Sequence, residues 1–371
     1  MNQEIFRNSS LIEFKDFISN YNSQKIFLVV DEYSYKLSGA EAFVENTICN
    51  NISVAFSDFN PNPQIRDLRK GIAVFKNGDY DIIVAIGGGS VLDMAKLISI
   101  FTHQDYNLEK ILRDQTLINN TKTPLLAIPT TAGTGAEATA FAVLYVDKVK
   151  YSVAAESILP NYIYLSPEFS LSAPSYLTAC TGLDAFCQAI ESVWSVNSTK
   201  ESKEYAYEAV DLVWNNLRKA VVNNDENAKA LMQEAAFLAG KAINISKTTA
   251  PHALSYAFTS YYHIPHGHAV SLSLAYFFEF NYGISNIDCI DKRGSNYVKA
   301  RIYKLLEIME IDSQNIQETL VSFFNSLGVN TNISTLIPNF NSDLIIRNVN
   351  IERLKNNPRE ITPQVITDFF R

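Results

Sequence analysis

The sequence predicts an α/β plus all-α protein, with a parallel-sheet domain over residues 1–166 followed by a helical domain over residues 167–371. Three observations predict this arrangement. Apolar, β-branched runs alternate with helical stretches in the first half, which is typical of a parallel sheet. Strand-like runs become rare after about residue 166, and long amphipathic stretches replace them. At 371 residues the chain also exceeds the roughly 250–300 residues at which single cores stop growing.

The predicted strands of the first domain are short apolar runs closed by polar or turn residues, at 25–31, 52–56, 81–86 and 124–129. The segment Asn-Pro-Asn-Pro at 60–63 forces a turn before a helix over 64–76, and a second helix follows over 91–101. The helices predicted in the second domain are amphipathic and cover 200–218, 226–243 and 295–309. The last helix begins after Thr362, an N-cap residue, with Pro363 at the first helical position.

Composition excludes several classes of protein. Apolar residues make up 47% of the chain and charged residues 19%, as in an ordinary globular protein. A net charge of −8 and a pI near 5.3 argue against nucleic acid or an anionic membrane as partner. No apolar run reaches the 18 or so residues that span a bilayer. The N-terminus lacks the pattern of a signal peptide, so a cytoplasmic protein is expected.

Glycine is scarce, with 14 residues, and seven of them fall in four short segments, which indicates close backbone approach there. Gly87, Gly88, Gly89 and Ser90 join the third predicted strand to a helix. In that context free N–H groups and the helix dipole favour an anion such as a pyrophosphate. The loop matches neither the Gly-x-Gly-x-x-Gly fingerprint nor a Walker A loop, and a tight turn is the alternative.

Asp31 ends the first predicted strand, where a carboxylate can accept hydrogen bonds from a ribose diol. Its charge would repel a 2′-phosphate, which favours NAD(H) over NADP(H). The alternative is that Asp31 caps the helix that begins near Glu32.

Four of the five histidines fall between His252 and His268. Upstream, Asp184 and Gln188 stand at i, i+4, which puts a carboxylate and an amide on one helix face. Neutral imidazoles with a carboxylate suit divalent iron or zinc. The alternative is a group of buried histidines that are satisfied by hydrogen bonds.

Six segments resemble, in order, the motifs of the iron-containing (group III) alcohol dehydrogenases; they are 85–96, 129–137, 181–185, 251–254, 265–267 and 356–359. The resemblance implies an N-terminal Rossmann-like dinucleotide-binding domain and a C-terminal helical metal-binding domain. By motif position, the resemblance implies that Asp184, His252 and His266 are metal ligands, with Gln188 adjacent to the ion or weakly bound to it. Gln188 and Tyr256 stand where the family has two further histidines. Because an amide oxygen is a weaker, harder ligand than imidazole, metal affinity or the preferred metal is expected to change.

The expected cofactor is NAD(H), with its pyrophosphate on the glycine loop. The other residues assigned to its site are Asp31, Asn62, Asp93, Thr130, Thr131, Thr134, Thr139 and Lys150. The expected reaction is hydride transfer from the nicotinamide to an aldehyde that the metal polarises. The proton would come from water, a ribose hydroxyl, His263, His268 or Tyr256.

Segments 184–192 and 247–256 look like the branch of the family that reduces phosphonoacetaldehyde to 2-hydroxyethylphosphonate. Pro251 predicts a helix break near residues 246–249, with Thr248 or Thr249 as N-cap. Lys247 would then stand beside a helix N-terminus, where a dianionic head group could bind. The alternative for Lys247 is a solvated surface turn.

Two other functions remain open: a general short-chain alcohol dehydrogenase or aldehyde reductase, and a non-catalytic nucleotide-binding protein. The sequence also leaves the oligomeric state open, with a homodimer as one arrangement.

Overall fold

A computed structural model describes residues 3–7, 14, 16–18, 25–147, 149–349 and 351–370. The chain divides into two compact units. The first comprises Met1–Thr131 and Gly135–Ala173, and the second comprises Ala132–Thr134 and Pro174–Arg371. The main division therefore lies between Ala173 and Pro174, seven residues after the boundary that the sequence predicted between residues 166 and 167.

The first unit is built on a six-stranded parallel sheet with the order β1-β8-β5-β4-β2-β3, beside a β6-β7 hairpin. The strands are β1 (Glu4–Arg7), β2 (Ile26–Val30), β3 (Ile52–Phe56), β4 (Ile82–Gly87), β5 (Leu125–Pro129), β6 (Phe141–Val146), β7 (Val149–Ala154) and β8 (Tyr162–Leu165). The four predicted strands correspond to β2, β3, β4 and β5. The predicted α/β class of this half is confirmed.

Both faces of this sheet are buried. In β2, Phe27 and Val29 pack into one apolar cluster, whereas Ile26, Leu28 and Val30 pack into another. Side chains alternate between the faces of a strand, so each face is covered by its own layer. This is why the central strands appear in the sequence as continuous apolar runs.

The helices of the first unit follow its strands. They are α1 (Glu32–Leu37), α2 (Ala40–Thr47), α3 (Ile65–Lys76), α4 (Gly89–Phe101), α5 (Leu108–Arg113) and α6 (Glu168–Leu171). The two helices predicted here correspond to α3 and α4. The latter starts two residues earlier than predicted, within the glycine loop itself.

The described part of the second unit is helical, as predicted. Its helices are α7 (Ser175–Trp194), α8 (Lys200–Val222), α9 (Glu226–Ser246), α10 (Ala250–Tyr262), α11 (His266–Tyr282), α12 (Ser295–Met309), α13 (Ile316–Ser326), α14 (Ile333–Leu336), α15 (Ser342–Asn348), α16 (Ile351–Leu354) and α17 (Pro363–Phe369). Helix α7 packs against α8, α9 and α11 and is the centre of the main apolar cluster.

The C-terminal motif at 356–359 ties the end of the chain to α11. Asn357 is fully buried and exchanges amide hydrogen bonds with Asn281 at 2.8 and 3.1 Å. Arg359 donates to Phe280 O at 2.5 Å and to Asp288 Oδ2 at 2.7 Å. These contacts stabilise the packing of the second unit.

Cys180, Cys187 and Cys289 are free thiols, and the side chain of Cys49 lies outside the described residues. In the described part of the chain, no helix combines the length and the apolar character needed to cross a membrane.

Candidate functional site

Three of the predicted metal ligands meet in the second unit. Asp184 lies in the middle of α7, His252 in the first turn of α10, and His266 at the start of α11. One ligand atom from each lies within 4.8 Å of the other two. Asp184 Oδ1 is 3.2 Å from His252 Nε2 and 3.9 Å from His266 Nε2. When ligand atoms surround a metal ion at bond lengths of about 2.0–2.2 Å, the distances between neighbouring ligand atoms are similar to these two distances. The three side chains therefore fit a divalent ion.

Gln188 adds an oxygen donor beside these three predicted ligands. It is buried one turn after Asp184, and its Nε2 donates at 3.4 Å to the carbonyl of Thr134, a predicted cofactor residue. Its Oε1 is buried and has no hydrogen-bond partner among the residues that the structure describes. A buried acceptor without a partner calls for an explanation, and a metal ion provides one. Two imidazoles, a carboxylate and an amide oxygen form a set that iron or zinc accepts.

The break between α9 and α10 occurs where Pro251 predicts it. Helix α9 ends at Ser246, Lys247 adopts a φ of 62°, and α10 begins at Ala250 with Pro251 in its first turn. Thr249 occupies the N-cap position, although its side chain makes no capping hydrogen bond. The break lets α10 start in a new direction and places His252 opposite Asp184.

Close contact between α11 and α7 depends on Gly267. A Cβ atom at this position would lie 1.8 Å from Cys180 O and 2.9 Å from Asp184 N. Both atoms belong to the backbone and cannot turn aside, so any side chain would push α11 away from α7. The bare glycine therefore allows His266 to approach Asp184.

Glu191 is a further member of the site, to which the sequence reasoning assigned no role. Its fully buried carboxylate accepts hydrogen bonds from the backbone N–H of Thr249 at 2.6 Å and from its hydroxyl at 2.9 Å. It also contacts Nδ1 of His252. The i, i+4, i+7 spacing of Asp184, Gln188 and Glu191 on one face of α7 is the signal that could have identified it.

Two buried carboxylates make the site attractive to positive charge. Burial lowers the pKa of His252, but Glu191 and Asp184 outweigh that effect and raise it to about 10. Burial raises the pKa of Asp184, and the neighbouring His266 and His252 reverse this and hold it below its usual value. A divalent cation satisfies the same demand for positive charge that protonation of His252 otherwise meets.

His263, one of the three side chains predicted as proton donors, is exposed at the C-cap of α10. The other two differ in position. The ring of Tyr256 is stacked on that of His266, with centroids 6.0 Å apart and an interplanar angle of 13°. His268 is buried, and its Nε2 lies 2.7 Å from Asn330 O, which can only accept. Its Nδ1 therefore accepts from the hydroxyl of Tyr176, at 2.8 Å. Both ring nitrogens of His268 are thus already hydrogen bonded, and His268 is not part of the ligand cluster.

The glycine loop lies in the first unit, between a strand and a helix. Strand β4 ends at Gly87, and Gly88 is the N-cap of α4. A Cβ at Gly87 would lie 2.4 Å from Cγ2 of Val91, so this tight turn requires glycine. No side chain among the described residues caps α4. Its first N–H groups and its dipole therefore suit a bound anion.

Polar groups from two other predicted cofactor segments border this loop. The backbone N–H of Asn62 donates to Ser90 Oγ at 3.0 Å. Thr131 Oγ1 lies 3.4 Å from where a Cβ on Gly88 would stand. The hydroxyl of Thr130 is buried without a hydrogen-bond partner among the described residues. An uncapped helix start beside such a hydroxyl fits a polar, anionic ligand such as a dinucleotide.

The cofactor candidates Asp93 and Thr139 lie beside the buried Lys96, and the third candidate, Lys150, lies near Asp93. The Nζ of Lys96 donates to Thr139 Oγ1 at 2.9 Å and lies 3.9 Å from Asp93 Oδ1. Burial lowers the pKa of Lys96 to about 8. Burial raises the pKa of Asp93, while the charges of Lys96 and Lys150 act in the opposite direction. Lys96 Nζ also donates to Phe141 O at 3.0 Å, and the backbone N–H of Val143 donates to Asp93 Oδ2 at 3.0 Å, so the start of β6 is held against α4.

Asp31 caps α1, which was the alternative to a ribose contact. Its Oδ1 accepts from the backbone N–H of Tyr33 at 3.1 Å, and both carboxylate oxygens contact Ser34. The cap holds the carboxylate at the end of β2. The ribose contact remains a prediction.

The predicted substrate residues lie at the break before α10. Lys247 is half-buried, and its Nζ donates at 2.9 Å to a carbonyl of α9. Burial and the nearby charge of Arg353 lower the pKa of Lys247. Arg353 also donates to Thr248 Oγ1 at 3.2 Å. The N–H and hydroxyl of Thr249 both donate hydrogen bonds to Glu191. Two cations therefore lie close together here, while the polar groups of Thr249 are already used.

Several known proteins are similar to this chain in sequence or in fold. A solved sulfoacetaldehyde reductase from Bifidobacterium kashiwanohense, in complex with NAD+, has a TM-score of 0.87 and 27% identity over 99% of this chain and 96% of that one. The long-chain-alcohol dehydrogenase 1 of Geobacillus thermodenitrificans is 33% identical over 60% of this chain, and the match spans only 57% of that protein. The NAD-dependent methanol dehydrogenase of Bacillus methanolicus is 31% identical over 71% of this chain and 70% of its own length.

Family-level matches cover nearly the whole sequence. The iron-containing alcohol dehydrogenase profile matches residues 2–167, and the profile of that family's C-terminal domain matches residues 178–371. The chain therefore belongs to the iron-containing alcohol dehydrogenase family.

Proposed function

We propose that the chain is a metal-dependent oxidoreductase that reduces an aldehyde to an alcohol with NAD(H), and that its aldehyde is phosphonoacetaldehyde. One observation carries the oxidoreductase assignment: Asp184, His252 and His266 converge beside the unpartnered Oε1 of Gln188. The uncapped start of α4 after Gly88 supports a nucleotide cofactor. The names of the related alcohol and methanol dehydrogenases support the same class of reaction.

A divalent ion, Fe²⁺ or Zn²⁺, supplies Lewis-acid polarisation of the aldehyde oxygen, and NADH supplies the hydride. Asp184, Gln188, His252 and His266 hold the ion, and the N–H groups that follow Gly88 bind the pyrophosphate. Elemental analysis of the purified protein, combined with assays of NADH oxidation by aldehydes, tests this assignment. It also distinguishes iron from zinc.

Delivery of the proton to the product oxygen is assigned to Tyr256. Its ring lies against the ligand His266. Another candidate, His268, would have to break a hydrogen bond to Asn330 or Tyr176 before it could transfer a proton.

Cofactor preference is proposed to depend on the charge of Asp31. In an Asp31→Asn variant, the amide oxygen retains the cap of α1, but the charge that repels a 2′-phosphate is lost. We expect the ratio of kcat/KM with NADPH to that with NADH to rise about tenfold, or about 1.4 kcal/mol. Steady-state kinetics with both cofactors measures this, and an unchanged melting temperature shows that the cap is intact. A wild-type enzyme that clearly preferred NADPH would contradict the assignment.

The substrate proposal depends on the two cations at the break. In a chain with a net charge of −8, Lys247 and Arg353 concentrate positive charge at the break, and Lys247 stands a few residues before the proposed ligand His252. Phosphonoacetaldehyde carries a dianionic head group that such a pair would attract. The structurally similar reductase is named for sulfoacetaldehyde, which also carries an anionic head group.

Lys247→Ala is expected to raise the KM for phosphonoacetaldehyde and to leave the KM for propanal nearly unchanged. A charge-assisted hydrogen bond contributes about 1.5–3 kcal/mol, so the increase should be about tenfold or more. Lys241→Ala, in helix α9 shortly before the break, is the matched control, because its Nζ lies over the ring of Tyr205, 3.8 Å from the centroid. Sulfoacetaldehyde, tested in parallel, shows whether the site distinguishes phosphonate from sulfonate.

The second candidate is a general short-chain aldehyde reductase. It is favoured by the hydrogen bond that already holds Lys247 to α9 and by the commitment of Thr249 to Glu191. Equal effects of Lys247→Ala on phosphonoacetaldehyde and propanal would select this alternative.

A further inference from the structure

We propose that a buried hydrogen-bond chain from Trp194 through Thr249 to Glu191 fixes the tautomer and orientation of His252, and that Glu191 thereby sets the affinity of the site for its metal. The inference rests on the metal site of the proposed function. It concerns residues that do not touch the ion, so Glu191 is a positioning residue.

The direction of each hydrogen bond follows from the chemistry of its donor. The indole Nε1–H of Trp194 can only donate, and it lies 2.8 Å from Thr249 Oγ1. The hydroxyl of Thr249 therefore accepts from Trp194 and gives its single proton to Glu191 Oε2, at 2.9 Å. The backbone N–H of Thr249 donates to the same oxygen at 2.6 Å. Two donors thus converge on Oε2.

The other oxygen, Oε1, faces Nδ1 of His252. A carboxylate that receives two donors on one side remains an acceptor, so the proton of this contact belongs to Nδ1. The opposite nitrogen, Nε2, faces Asp184 Oδ1 at 3.2 Å and is the one that a metal would take. Carboxylate–histidine pairs of this kind orient the imidazole and make it a better ligand.

The residues of this hydrogen-bond chain are buried, so water cannot replace a lost partner. Glu191 and Thr249 have no exposed surface, and Trp194 is 1% exposed. An unsatisfied carboxylate at such a position would be costly, so its contacts are retained together or lost together. The hydrogen-bond chain joins Trp194 and Glu191 of α7 to Thr249 in the break before α10. The position of His252 is therefore linked to the geometry of that break.

Glutamine at position 191 disrupts the chain without changing the size of the side chain. An amide offers one acceptor oxygen, whereas both His252 and Thr249 need to donate. If the amide oxygen continues to accept from Thr249, the NH₂ group faces Nδ1 of His252. This favours the His252 tautomer that is protonated on Nε2, and a protonated Nε2 cannot bind metal. If the oxygen turns to His252, the two donors of Thr249 face another donor.

The test is a titration of metal-free protein with Co²⁺, followed by visible absorption, which reports both affinity and ligand geometry. We expect Glu191→Gln to weaken Co²⁺ binding 10–100-fold and to alter the spectrum, and Thr249→Val to weaken binding by about tenfold. The control is Ser192→Ala. Ser192 is as buried as its neighbour Glu191, but its hydroxyl forms a hydrogen bond with Ser246 and takes no part in the hydrogen-bond chain to His252. It should bind Co²⁺ within about twofold of the wild type. Binding of NADH and the melting temperature of the metal-free protein report whether each variant is folded.

Wild-type affinity and spectrum in a folded Glu191→Gln protein would overturn the role of Glu191. If that variant does not fold, a wild-type affinity for Co²⁺ in Thr249→Val would overturn the proposed role of the hydrogen-bond chain. A protein that binds Co²⁺ tightly but reduces no aldehyde would contradict the proposed function and leave this inference standing.

Discussion

Alanine in place of His266 is expected to remove bound metal and most aldehyde reduction. His266 supplies one of the two imidazole nitrogens of the site, and its side chain is 33% exposed, so its loss removes a ligand without opening the core. Loss of a group that merely orients a ligand costs about 10–100-fold in metal affinity, so loss of the ligand itself should cost at least about 100-fold. Metal content and NADH-dependent turnover measure the effect.

The matched control is His263→Asn. His263 is exposed at the end of α10 with a φ of 57°, a conformation that asparagine tolerates. We expect metal content and turnover close to those of the wild type. Wild-type turnover from protein that has been freed of metal would contradict the Lewis-acid role of the site.

Gly267→Ala is expected to have the largest effect on stability. The added Cβ would stand 1.8 Å from Cys180 O, and only a movement of α11 away from α7 can relieve that contact. We expect the free energy of unfolding to fall by at least about 3 kcal/mol, at the upper end of overpacking costs. Metal binding should fail as well, because the two helices carry His266 and Asp184. Denaturant unfolding and metal titration measure the two effects.

Gly283→Ala, at the other end of α11, is the control. A Cβ there would lie 3.2 Å from the guanidinium of Arg359, a contact that a shift of a few tenths of an ångström relieves, and 3.5 Å from the nearest backbone atom, Phe280 O. The free energy of unfolding should change by less than about 1 kcal/mol. Wild-type stability of Gly267→Ala would show that the contact with Cys180 O is not rigid.

Much of the sheet could be predicted from the sequence. Strands β2, β4 and β5 are buried along their whole length and appear as apolar runs, which local patterns detect. The prediction missed β1, β6, β7 and β8. Strand β1 is four residues long with exposed ends, and β7 exposes both of its terminal residues. Such strands form because a partner strand is available, and no local pattern records that partner.

The candidate site divides in the same way. The i, i+4 pair Asp184 and Gln188 and the clustered histidines lie close together in the sequence, so helical geometry alone predicts that they share a face. The break at Pro251 also follows from a local steric rule. These local rules, together with the family motifs, predicted Asp184, His252 and His266 as metal ligands, and the structure brings their side chains together.

By itself, then, the sequence determined the fold class, the central strands, the glycine loop and the set of predicted metal ligands. Only the tertiary structure decided that Glu191 supports His252 from 61 positions away and that His268 is held by Tyr176 and Asn330. It also decided that Gly267 must lack a side chain because a backbone carbonyl of α7 lies against it. The physical reason is range: periodicity and capping act within a few residues, whereas hydrogen-bond partners and close helix contacts depend on which distant segments pack together.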